Sequence, residues 1–177
     1  LTPLKGEFER PLNIYRCAYA YVNQSRKHLP APIGGVTWLG EDRPATSVLF
    51  PLYAGGFGIH PSVQKADVLR FDKGSMWTTF NFVANYAMLK YSYMITDIRT
   101  EQRRFESRAF GLQQGVEAKA LALREKGDVR GARRVLTQYS EKNASELLSA
   151  WWKLQEQLYI KYNDGYLNTK AGIAQAI

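Results

Sequence analysis

The spacing of apolar residues changes once along this chain, and that change limits the fold more than any other feature. Residues 13–24 (NIYRCAYAYVNQ) alternate strictly, with Tyr15, Cys17, Tyr19 and Tyr21 on one side and Ile14, Arg16, Ala18, Ala20 and Val22 on the other. A period of two marks an extended strand. From Met76 onward the apolar residues recur by threes and fours, through Phe80, Val83, Ala84, Ala87, Met88 and Tyr91. That is the period of a helix with a buried face. A strand segment followed by a mainly helical segment predicts an α+β chain.

The segment boundaries follow from the punctuation. Pro30, Pro32, Gly34 and Gly35 interrupt the chain, and short strands are expected at residues 36–39 and 47–54. A polar turn at residues 40–44 joins them as a hairpin with a connection of four to six residues. Pro51 argues for an edge position or a bulge, because proline donates no ladder hydrogen bond. Gly55, Gly56 and Gly58 read as a flexible turn, since no helix start follows where a dinucleotide fingerprint needs one. The strand segment thus spans residues 1–60, a connector spans 61–74, and a helical segment spans 75–177. Ser75 is a good N-cap. A long helical stretch runs over residues 92–126, with a break expected near Gly111 or Gly115. Gly127 then suits a C′ position and Asp128 the next N-cap. A helix carrying Ala132, Val135, Leu136 and Tyr139 follows. A further helix starts near residues 143–145 and is stopped by Asn163, Asp164 and Gly165.

Charge and composition narrow the function. The 177 residues are 45% hydrophobic, enough for a packed core, and hold 24 basic against 16 acidic side chains. Nine basic and six acidic residues lie in positions 1–88, and fifteen and ten in positions 89–177, so the excess of +8 is spread out. Arg99, Arg103 and Arg104 are interleaved with Asp97, Glu101 and Glu106, the pattern of a solvated helix face, which argues against nucleic acid as a partner. No run approaches the roughly 18–20 apolar residues that span a bilayer, so no membrane partner is expected. With one cysteine and two histidines, His28 and His60, neither a disulfide framework nor an ordinary zinc site is expected, and no cofactor. Both histidines read as loop residues. Cys17, between alternate aromatics, reads as a small hydrophobe rather than a nucleophile. Trp151 and Trp152 cannot place both rings on one helix face, so one of them must meet a second element or a partner.

Three stretches taken together carry a resemblance: NIYRCAYAYVNQSR, then PAPIGGVTWLGEDRPATSVLFPLYAG, then FDKGSMWTTFNFVANYAMLKYSYMITDIR. Their order and wording resemble the C-terminal part of the bacterial cysteine dipeptidases related to secernin. These are N-terminal-nucleophile (Ntn) hydrolases, distantly related to bile-salt hydrolase and penicillin V acylase. The resemblance is strong over residues 10–100 and looser beyond. It implies the C-terminal part of an αββα sandwich, two antiparallel sheets between helical layers. It also implies a cysteine that becomes the first residue after self-processing, whose free α-amino group serves as base for its own thiol. The thiolate attacks the dipeptide carbonyl, an acyl-enzyme forms, and water resolves it.

Residue 1 here is leucine, and Cys17 is neither terminal nor in a nucleophile's context. The nucleophile is therefore expected on an N-terminal portion outside this chain. That portion and a dipeptide substrate are the partners the resemblance implies, and a homo-oligomer is compatible with it. Arg16 is the site residue carried over, as an arginine near the nucleophile that holds the thiolate and steadies developing negative charge. The other readings of the chain are a helical protein-interaction module, docking through the half from Gly127, and a basic nucleic-acid-binding domain.

Overall fold

A computed structural model describes residues 11–169 and 172–176. The first ten residues of the expected strand segment lie outside it. Strand β1 (Tyr19–Ser25) pairs antiparallel with β2 (Gly35–Glu41), which pairs antiparallel with β3 (Phe50–Tyr53). The sheet order is β1-β2-β3, so Pro51 does sit on an edge strand, where its missing N–H costs no ladder bond. A four-residue helical turn, α1 (Ala31–Gly34), lies between β1 and β2. The mainly helical half holds α2 (Met76–Ala87), α3 (Tyr91–Glu125) and α4 (Val129–Tyr162).

Side chains alternate across the sheet and feed two apolar clusters, one on each face. Leu39, Phe50 and Leu52 pack with Met76, Phe80, Met94, Ile98, Leu147 and Trp151. Val36, Trp38 and Tyr53 pack on the opposite face with Ala109, Ala120, Leu136 and Tyr139. Trp38 is fully buried, with its ring 4.2 Å from that of Phe110 and its Nε1 donating to Gln24 Oε1 at 3.2 Å. The second cluster is tied down by Glu117, whose Oε1 accepts from the Arg26 guanidinium, the Tyr53 hydroxyl and Gln113 Nε2. That single carboxylate joins β1's exit, β3 and α3.

Local signals set the helix ends. Ser75 caps α2, its hydroxyl accepting from Thr78 N at 3.1 Å, and Asp128 caps α4 by accepting from Gly131 N at 2.7 Å. Gly127 takes φ +82 between α3 and α4, a left-handed conformation that glycine adopts without a Cβ penalty. Gly55 is required for another reason: a Cβ there would lie 2.6 Å from Pro32 Cα.

Four expectations from sequence are corrected. The first strand begins at Tyr19, not at residue 13, because residues 11–18 turn before they extend. The β2–β3 connection covers residues 42–49, longer than expected, and includes a 3-10 turn at Pro44–Thr46. No break occurs at Gly111 or Gly115, since α3 is continuous and packs along α4; each glycine costs about 1 kcal/mol, less than the burial of Phe105, Ala109 and Ala120 returns. Nor does a new helix start at residues 143–145. Asn143 is buried inside α4 and donates to Tyr139 O at 2.8 Å instead of capping. A hairpin of β4 (Tyr166–Thr169) and β5 (Gly172–Ala176) follows the stop at Asp164 and Gly165, and sequence reading missed it.

Candidate active site

The polar turn after β2 is not on the surface. Glu41, Asp42 and Arg43 are three consecutive ionisable residues, and they are 7%, 2% and 4% exposed. Glu41 closes β2 opposite Tyr19 of β1 and shares a sheet face with Leu39. Asp42 then adopts φ 62, a left-handed conformation that aspartate tolerates better than most residues, and the chain leaves the sheet. Its backbone N–H donates to Ala18 O at 2.8 Å, fixing the segment before β1 against the turn. On the α2 side, Asn81 Nδ2 donates to Asp42 Oδ1 at 3.2 Å.

The electrostatics are unbalanced. Glu41 Oε2, Asp42 Oδ2 and Arg43 Nε have no hydrogen-bond partner among the described residues. Arg43 Nε lies 3.8 Å from Asp42 Oδ2, an attraction without a hydrogen bond. Burial pushes the Glu41 carboxyl up to about 8. Burial also raises Asp42, against the opposing pull of the Asn81 hydrogen bond and the Arg43 charge. An unpaired buried polar group costs about 1–3 kcal/mol, and a buried ion several, so three in succession are rarely kept for stability alone. Perturbed carboxyls beside a cavity are the usual mark of a working site.

Two cavities flank the triplet. Glu41 lines one of about 490 Å³, whose wall is otherwise largely apolar and includes Tyr19, Leu39, Val63, Val68 and Trp77. Arg43 lines another of about 460 Å³, with Ile14, Tyr15, Met88 and Tyr91. The segment that carries Arg16 and Cys17 therefore borders both.

Arg16 is not on a strand. It lies exposed in a turn at residues 15–16, its guanidinium carbon 6.0 Å from the Tyr15 ring centre. The strict alternation of residues 13–24 concealed this, because period two also occurs in chain that no partner strand extends. Cys17 is partly exposed just ahead of β1, and its thiol donates to Tyr19 O at 3.2 Å, so it is not a packed strand residue either. His28 is exposed, and His60 caps the 3-10 turn at Pro61–Gln64 through Ser62. Trp151 is buried against Phe80, while Trp152 turns away to Phe71 and Phe82. The sequence reading passed over Glu41, Asp42 and Arg43. Three ionisable residues directly after an apolar strand and before a proline were the available signal.

No candidate metal cluster of His, Cys, Asp and Glu occurs among the described residues, and no described helix is long and apolar enough to cross a membrane. No curated protein matches the chain. The family model described as Peptidase family C69 matches residues 3–104, more than half of the chain and the whole of the sheet, the buried triplet and α2, and the chain belongs to that peptidase family.

Proposed function

We propose that the chain is the C-terminal part of an Ntn-type cysteine dipeptidase. The observation that carries this is the buried, under-bonded Glu41-Asp42-Arg43 turn opening onto two cavities in a peptidase-family chain. Cys17, whose thiol donates to Tyr19 O beside β1, is read as a structural residue rather than as the nucleophile. In this reading the attacking thiol lies on a portion outside these residues, which docks over the cavities. The αββα sandwich is part of the same reading. Tyr19 and Tyr21, on one face of edge strand β1, are each more than half exposed, an apolar surface of the kind a second sheet covers. In this arrangement Arg43 supplies buried positive charge near the acyl-transfer centre. Arg16, in the exposed turn before Ala18, is the supporting arginine in this reading.

The test is dipeptide hydrolysis by the complete protein, followed as release of free amine, before and after iodoacetamide. A Cys17→Ser background removes the thiol of this chain from the experiment. The expected result is full activity in Cys17→Ser and loss of activity on alkylation of that variant. Activity that survives alkylation sinks the cysteine mechanism. In the same assay Arg16→Ala is expected to lower turnover strongly with little change in folding, and unchanged turnover removes Arg16 from the site.

A further inference from the structure

We propose that Glu41 recognises the free α-ammonium of the substrate's first residue, with the apolar cavity around it receiving that residue's side chain; this rests on the dipeptidase reading above. A cavity wall of Tyr19, Leu39, Val63, Val68 and Trp77 has little to offer a polar ligand, yet one carboxylate is set into it. Among the described residues, Glu41 is the sole ionisable acid or base on that wall apart from the Tyr19 phenol. It is more than nine-tenths buried, and its Oε2 has no partner among the described residues. Burial favours the protonated carboxyl while the cavity is empty, and an incoming ammonium favours its ionised form, because opposite charges attract more strongly as water is excluded.

The division of charge supports the assignment. Arg43 lines the other cavity, so an ammonium is drawn to the Glu41 side and kept from the guanidinium. In an α-amino acid the ammonium and the side chain leave the same carbon. A carboxylate embedded in apolar wall therefore meets both features of one residue, which a separate acidic patch and greasy pocket would not do. Such a contact explains a restriction to substrates with a free N-terminus, because an acylated nitrogen brings no charge and leaves the carboxyl unpaired.

The experiment uses the complete protein and its Glu41→Gln variant, an isosteric change that removes the capacity to ionise. Hydrolysis of Leu-Ala is compared with that of N-acetyl-Leu-Ala. Binding of leucinamide, 4-methylpentanamide (the same molecule without its amine) and Nα-acetyl-lysinamide is measured by calorimetry. The wild type is expected to favour the free-amine dipeptide by about 100-fold in kcat/KM, falling to within about tenfold in Glu41→Gln. Leucinamide binding should weaken in parallel, and 4-methylpentanamide binding should not. A free-amine preference that survives Glu41→Gln overturns the proposal while leaving the dipeptidase reading intact. Equal binding of Nα-acetyl-lysinamide also overturns it, since the site would then hold any ammonium. If no dipeptide is hydrolysed but leucinamide binding depends on Glu41, the dipeptidase reading fails and the ammonium site stands.

Discussion

Replacing Glu41 by glutamine should make the protein more stable at pH 8 and remove much of its stability loss between pH 5 and pH 8. Glu41 titrates near 4.5 when exposed and is pushed up to about 8 by burial. The folded state therefore holds a proton that the unfolded chain has released throughout that window. Folding is favoured below pH 4.5, where both states are protonated, and penalised progressively as pH rises toward 8. Each tenfold change in proton affinity corresponds to about 1.4 kcal/mol, so the full displacement sets a ceiling of about 5 kcal/mol. Water entering through the open cavity relieves part of this, and about half the ceiling is the expected size. For a chain of this length 1 kcal/mol moves Tm by about 2–4 °C, so the wild type should lose roughly 5–10 °C between pH 5 and pH 8 through this group. Thermal unfolding of both proteins at half-unit pH intervals reads the difference directly. Asp42 and Glu106, both raised by burial, are present in both proteins and cancel in the comparison. Parallel curves would refute the reasoning, because they would mean that Glu41 ionises in the folded state as freely as in the unfolded one.

Other substitutions test the frame around the site. Gly55→Ala forces a Cβ against the Pro32 backbone and should cost about 2–3 kcal/mol in chemical denaturation. Gly111→Ala meets open space in the middle of α3 and should instead stabilise by about 0.5–1 kcal/mol. Glu117→Ala leaves the Arg26 guanidinium and the Tyr53 hydroxyl without their shared acceptor and should cost about 3–5 kcal/mol by the same measurement. Asn81→Ala takes away the one side-chain donor to Asp42 among the described residues and should cost about 1–3 kcal/mol, with the Asp42 carboxyl rising further in an NMR titration.

The elements best read from sequence are those governed by neighbours within a few residues. Ser75, Gly127 and Asp128 act through the next turn of chain, and all three sit where their chemistry put them. Readings that depended on distant contacts went astray. Gly111, Gly115 and Asn143 look like helix breakers locally, but α3 and α4 pack against each other along their length and override them. Arg16 and Cys17 continued the alternation of β1 without a partner strand to extend them. The turn at residues 40–44 is polar in sequence, and only the elements packed over it bury its ionisable side chains.

By itself, then, the sequence determined that the strands of the first sheet precede the long helices, because side-chain period is a property of adjacent residues. It also carried the resemblance of residues 10–100 to cysteine dipeptidases, borne out at the level of the peptidase family. Tertiary structure alone decided which polar groups lose their water. The run of Glu41, Asp42 and Arg43 is visible in the sequence, but its burial is not. Burial is set by β1, α2 and the segment before β1, which converge from different parts of the chain, and desolvation by those neighbours turns an unremarkable glutamate into a group that holds its proton to about pH 8.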